Sequence, residues 1–348
     1  MRKIGITTSI PAEVMLAAGC TPVDLNNIFI SDPNPQHLIR IAEKAGFPLN
    51  CCSWIKGIYG VCMQSGIDSV ICVTGGDCSN SIMLMEVLKF KGLEAIPFAF
   101  PRQPDIQQMQ AAIEDLADRL GTTVEKAEKI RQELLPVREL TSTLDELTWR
   151  DGVVSGYENH LWLVSSSDFN RDYNVYANQL QNLIDSRRKR SVYPDNMLRI
   201  AYIGVPSVFG RELYNYLEKN GARVVYNEIQ RQFSMPCSAN SLAQQYCNYT
   251  YPYFIYNRLE DILPQLEQRH VDAVIHYVQA FCHRGIGDII FREVIKLPML
   301  TLEGNDEFLF NQHLKTRVEA FIDMLKRNPK RKRIQSKQEV KDDGKDRY

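Results

Sequence analysis

Two stretches 204 residues apart restrict the fold of this chain more than any other feature. "IDSVICVTGGDC" (67–78) and "VDAVIHYVQAFC" (271–282) both read apolar, Asp, small, Val, Ile, and each places a cysteine ten residues after the aspartate. Downstream, "MEVLK" (85–89) and "REVIK" (292–296) close the helix that follows, and each is succeeded by a strand with a proline near it. A chain that repeats this order holds two similar βαβ units. The surrounding sequence keeps the same alternation. "LRIAYIGV" (198–205), "ARVVYNEI" (222–229) and "LPMLTLEG" (297–304) read as strands, while "RELYNYLEKNG" (211–221), "LEDILPQLEQR" (259–269) and "KTRVEAFIDMLKRN" (315–328) read as helices. The first half repeats it with "PAEVMLAAG" helical, "TPVDLN" extended, "SIMLMEVLKFKG" helical and "LEAIPFAF" extended, and residues 105–148 are mostly helical.

Continuous apolar runs bounded by helices indicate parallel strands covered on both faces. The expected class is α/β, with two doubly wound, Rossmann or flavodoxin-like domains and a helical connection. "LIDSRRKRSVYPDN" (183–196) joins a charge run to Pro194, Asp195 and Asn196, which suits an interdomain connection. The expected organisation is an N-terminal α/β domain over 1–150, a bridging segment over 151–195, a C-terminal α/β domain over 196–326 and a disordered basic tail over 327–348.

The tail differs in composition from the body. Residues 326–348 hold ten Lys/Arg against four Asp/Glu although the whole chain carries −1, and a segment so poor in apolar residues cannot offset its ordering entropy. It reads as solubilising, and nucleic acid is not expected as a partner. Glu13 interrupts the apolar stretch near the amino terminus, and no run approaches the roughly 18 apolar residues of a membrane span. Nine cysteines at irregular spacing, without a secretory signal, place the chain in a reducing compartment, the cytoplasm by default.

The cysteines then divide. Free cysteine is most often a packing residue, and Cys20, Cys62, Cys72, Cys237 and Cys247 take that reading. Cys78 and Cys282 escape it because they recur just past the carboxyl ends of equivalent strands. That crevice is where open α/β sheets bind ligands, and oriented N–H groups at a helix start favour a thiolate. A third thiol is offered by "NCCSWIKGIYG" (50–60), where Cys52 is favoured over its neighbour Cys51. Three thiolates from distant segments allow a structural zinc, an iron–sulfur cluster or no metal. The absence of any CxxC argues against a zinc ribbon or finger, and three-cysteine ligation in a ligand crevice suits a cluster with one iron left open.

Other chemistry is less marked. No GxxxxGK[ST] occurs; "GVPSVFGRE" (204–212) has the wrong spacing and no lysine, so the chain itself is not expected to bind ATP. Cys282 with His276 or His283 would make a thiol nucleophile pair, although a lone histidine at a strand end is more often a hydrogen-bonded structural residue. Glu158 and His160 in "ENHLWL" are candidates for a polar site, with helix capping and packing as the competing account. "YTYPYF" (249–254) serves equally as core or binding wall.

With these residues in view, the chain resembles the 2-hydroxyacyl-CoA dehydratase D-component family, which includes 2-hydroxyglutaryl-CoA and benzoyl-CoA type enzymes. The likeness spans residues 4–326. It is carried by "IPAEVMLAAGCTPVDL", "CCSWIKGIYG", "GGDCSNS", "YTYPYFIYNRLEDI", "VDAVIHYVQAFCHR" and "LPMLTLEGNDEFLFNQHLKTRVEAFIDML". The resemblance implies a [4Fe–4S] cluster held between two domains by Cys52, Cys78 and Cys282, with Cys51 as the alternative ligand and a double-cubane cluster as the less favoured cofactor. It implies a homodimer or a pairing with a paralogous subunit, and a separate ATP-hydrolysing iron–sulfur activator. The reaction it implies is radical dehydration of a 2-hydroxyacyl-CoA through a ketyl, or a related low-potential substrate reduction; the residues themselves offer Glu158, His160 and His283 as candidate catalytic groups. The competing reading is an electron-transfer or scaffold protein without substrate chemistry. The doubled Cys51–Cys52, "SSSDFNRDYN" and "ENHLWL" depart from the common pattern and suggest a stand-alone branch.

Overall fold

The computed structural model describes residues 2–327, so the tail expected over 327–348 lies outside the described residues beyond Arg327, which closes the helix Gln312–Arg327. Among the described residues eight strands form two four-stranded sheets. The first contains β1 (Lys3–Ile6), β2 (Thr21–Asp24), β3 (Ser69–Gly75) and β4 (Glu94–Ala99); the second contains β5 (Leu198–Gly204), β6 (Ala222–Asn227), β7 (Ala273–Gln279) and β8 (Met299–Gly304). Their orders are β2-β1-β3-β4 and β6-β5-β7-β8, with every pairing parallel. The two sheets therefore share one winding, and β3 and β7 hold the same position in it.

The apolar runs have the cause inferred from the sequence. Val70 and Cys72 of β3 face one helical layer while Ile71 and Val73 face the other. In the second sheet Ala273 and Ile275 of β7 point to one side and Val274 to the other. Both faces of each strand are buried, so no polar alternation survives. Among the described residues no helix is long and apolar enough to cross a membrane.

The halves interlock more than a simple division at residue 195 expects. Residues 229–253 follow β6 in the second half, yet Ile229, Phe233, Tyr246, Tyr249, Tyr251 and Tyr253 join the core on the first sheet. "YTYPYF" is thus largely interior, with Tyr249, Tyr251 and Tyr253 all buried. Glu13, the residue that breaks the amino-terminal apolar run, is fully buried. Its carboxylate accepts from Arg138 at 2.5 Å, Gln245 at 2.8 Å and Tyr246 at 2.9 Å. It joins the helix Ala12–Ala17 to the long connecting helix Val124–Trp149 and to the helix Leu242–Asn248. Removing one partner of such a buried pair costs about 3–5 kcal/mol. Lys56 provides a second tie, its buried ammonium donating to Glu43 at 3.0 Å and to Asp306 of the second half at 2.6 Å.

Candidate functional site

A doubly wound sheet opens a crevice where the strand order reverses, at the carboxyl ends of its two central strands. Here both sheets turn that end toward one shared cavity. Thr7 and Thr8 line it from the end of β1, Asp77 and Cys78 from β3, Val205 and Pro206 from β5, and Gln279, Cys282, His283 and Arg284 from β7. Its volume is about 110 Å³, several times the ~15 Å³ that one water needs.

Three thiols reach this space from three separate elements. Cys52 is the N-cap of the helix Ser53–Gln64, Cys78 precedes the helix Asn80–Phe90, and Cys282 precedes the short turn His283–Gly287. Cys51 is not part of the cavity wall; the charges that act on it are those of Lys56 and Asp306. The expectation that helix starts would favour thiolates is reversed. Burial pushes Cys52 up to about 12 and Cys78 up to about 11, and it raises Cys282 as well. Backbone N–H groups from Trp54, Asn80 and Arg284 oppose that rise without overcoming it. The thiols also oppose one another's ionisation: Cys282 raises both Cys52 and Cys78, and Cys78 raises Cys52. Any metal bound here must therefore displace protons.

The donor set fits thiolate ligation of a polynuclear group. Among the described residues no three His, Cys, Asp or Glu side chains converge on a single ion. A cluster offers each ligand its own iron and needs no such common point. Trp54, two residues from Cys52, lines the same space, with its indole nitrogen enclosed and without a hydrogen-bond partner.

Charges cross the cavity between the two halves. Arg284 lies 4.0 Å from Asp77, donates to the Gly76 carbonyl at 3.3 Å and stacks on Tyr251 with its guanidinium 4.3 Å from the ring centre. Tyr251 in turn donates to Asp77 at 3.2 Å. Burial raises the Asp77 carboxyl, and Arg284 pulls it back. Beneath the thiols, Gln279 of β7 donates to Ser53 Oγ at 2.8 Å, so the helix that begins after Cys52 is anchored to the second sheet. Arg284, Gln279 and Trp54 were not singled out in the sequence, and Tyr251 only as one tyrosine of "YTYPYF".

The remaining candidates separate. Glu158 is outside the cavity and completes a capping box: it accepts from the Ser155 N–H at 3.0 Å and the Ser155 hydroxyl at 2.8 Å, and pairs with Arg187. That is the capping account, and its S-x-x-E spacing was visible in the sequence. His160 lines the cavity two residues further along the same helix, Gly156–Val164. His283 lines it too, with its imidazole kept low by burial. His276 is buried in β7 and bonded through Nδ1 to Asp288 at 2.6 Å, a structural role. Neither histidine shares a hydrogen bond with Cys282, and the Cys282 thiol is raised where a thiol–imidazole pair would lower it.

"SSSDFNRDYN" supports the cavity from behind. Asp168 accepts from the Asp24 N–H at 2.8 Å while Ser167 donates to the Asp24 carboxylate at 2.6 Å, and Asp24 is part of the wall. Burial, with the neighbouring Asp24 charge, pushes Asp168 up to about 7. Phe169, Asn170 and Arg171 follow with positive φ of 51°, 50° and 73°, a costly run for residues other than glycine.

No curated protein sequence matches the chain significantly. The model of the family "2-hydroxyglutaryl-CoA dehydratase, D-component" matches residues 7–325, a span that contains both sheets' crevice ends and all three cavity thiols, and the chain belongs to that family of dehydratase components.

Proposed function

We propose that this chain is an iron–sulfur dehydratase subunit acting on a 2-hydroxyacyl-CoA, with Cys52, Cys78 and Cys282 holding a [4Fe–4S] cluster. The observation that carries the reading is the meeting of three thiols, from three elements and both sheets, in the one cavity between the facing switch points. When bound, the cluster would supply a one-electron store and an iron open to an oxygen ligand. The substrate's thioester carbonyl would take up one electron, the resulting ketyl would expel the 2-hydroxyl as hydroxide, and loss of a proton from C3 followed by return of the electron would leave a 2-enoyl-CoA and water. Conversion of hydroxyacyl to enoyl plus water is redox-neutral, so that electron is returned rather than consumed.

The chain's own residues would do the rest. Ile55, Ile58, Val164, Val205 and Phe233 give the cavity an apolar lining that keeps water from a radical. Asp77 and Arg284 hold the two cysteine turns together across it. The D-component family implies a separate activator component; an ATP-hydrolysing iron–sulfur protein would deliver the electron, consistent with the lack of a phosphate-binding loop here. The assembly would be a dimer of this chain or a pair with a paralogous subunit, in the cytoplasm.

The test is metal analysis and EPR on anaerobically purified protein. About four irons per chain are expected from the cluster chemistry, and 2-hydroxyglutaryl-CoA should perturb the signal of the reduced state. A protein that binds no iron would sink the proposal. A cluster whose signal no acyl-CoA alters would reduce it to an electron carrier.

A further inference from the structure

His160 brings an imidazole to the cavity wall under unusual restraint. It is 8 % exposed, and its ring stacks 5.8 Å from Tyr157 and lies 5.3 Å from Tyr214. Its Nδ1 sits 2.9 Å from the amide nitrogen of Gln230, a fully buried residue on the helix Glu228–Phe233. An amide nitrogen only donates, so Nδ1 is the acceptor and the ring proton is on Nε2. The same orientation leaves the Gln230 carbonyl oxygen unpaired. Reversing the amide would leave its N–H₂ unpaired instead, and orphaned buried donors are rarer than under-satisfied acceptors.

Among the described residues Nε2 has no hydrogen-bond partner, it is not one of the fully enclosed unpartnered polar atoms, and the open space that His160 borders is the cavity. Burial holds the imidazole down at about 4, so it is neutral at physiological pH. A neutral imidazole with a fixed N–H can polarise a carbonyl or steady a developing oxyanion without first losing a proton.

The geometry points to His160 as a catalytic hydrogen-bond donor, its Nε2–H directed at a carbonyl oxygen of the substrate, with Gln230 as the positioning residue that fixes the tautomer. This rests on the cavity being a substrate site. The donor makes no covalent bond and transfers no electron. It lowers the energy of charge gathering on that oxygen.

The experiment is ring-¹⁵N histidine labelling of the full-length, anaerobically purified protein, with His160→Gln to assign the signal. The expected spectrum shows Nε2 protonated and Nδ1 as a bare acceptor, and 2-hydroxyglutaryl-CoA should move the Nε2 resonance. Gln230→Leu should mix the tautomers while iron content stays unchanged. His160→Phe should lower kcat about 100-fold, and His160→Gln, which keeps an N–H donor, should recover most of it. A wild-type spectrum with the proton on Nδ1, an Nε2 resonance indifferent to the thioester, or a folded His160→Phe protein with unchanged kcat would overturn the assignment. If His160→Phe does not fold, the wild-type and Gln230→Leu spectra still decide. Loss of the dehydratase reading would show as absent turnover, whereas tautomer and ligand shift are read without turnover.

Discussion

The turns after β3 and β7 stand at the same position in two sheets of one strand order, and each presents a cysteine to the same cavity by a different backbone route. After β3 the chain turns at Gly76, with φ of +86°. A Cβ there would stand 2.8 Å from Phe100 and 2.9 Å from Pro252. After β7 the positive φ, +63°, falls on Phe281, whose ring is 61 % exposed. The first turn is glycine because its φ is left-handed and other parts of the protein press on it, including Pro252 from the opposite half. The second turn is open, so a large residue persists there despite the strain. The helices differ too: Asn80–Phe90 begins two residues after Cys78, whereas the turn His283–Gly287 separates Cys282 from the helix Asp288–Val294. What the two turns share is the delivered thiol, and what joins them is complementary charge, Asp77 on one and Arg284 on the other.

The largest expected effect tests that shared function. Cys78→Ser and Cys282→Ser should each reduce iron from about four per chain to near none, measured by metal analysis after anaerobic reconstitution. Cys237→Ser, at an exposed position outside the cavity, should change nothing. Full retention of iron by either of the first two would break the equivalence of the turns. The adjacent pair sharpens it: Cys52→Ser should lose iron and Cys51→Ser should keep it, because only Cys52 lines the cavity. The opposite result would move the third ligand by one residue.

Much of this was legible because it is local. β3 and β7 announce themselves by apolar runs, since both faces of each are buried. Cys78 and Cys282 stood out through an internal duplication, which encodes position without any structure, and Cys52 through its place beside Cys51 ahead of a helical segment. Tertiary partnerships left no such trace. Gln230 lies 70 residues from His160 and Arg284 lies 207 from Asp77, and no periodicity connects residues so far apart. The crossing of residues 229–253 onto the first sheet was hidden for the same reason: its tyrosines read as apolar wherever they pack.

Gly76→Ala should come next in size. Alanine at a left-handed position costs about 1 kcal/mol, and the two close contacts add about 1–3 kcal/mol of overpacking. Urea unfolding of the iron-free protein should show a loss of about 2–4 kcal/mol, and a loss below about 1 kcal/mol would mean that Phe100 and Pro252 yield easily.

Phe281→Gly is the smallest expected effect and the most informative about the difference between the turns. A phenylalanine at φ +63° carries roughly 1–2 kcal/mol of strain that glycine does not. Glycine also gives the unfolded chain more freedom, worth about 0.4–1 kcal/mol in the other direction. Because the ring is mostly exposed, little burial is lost, and the two terms leave a net change within about 1 kcal/mol, in glycine's favour. The same urea experiment reads it. A destabilisation above about 2 kcal/mol would show that the Phe281 ring is anchored, and the open turn would then be as constrained as the crowded one. A neutral result in stability combined with unchanged iron content would leave an exposed aromatic beside Cys282 with no structural task within the chain.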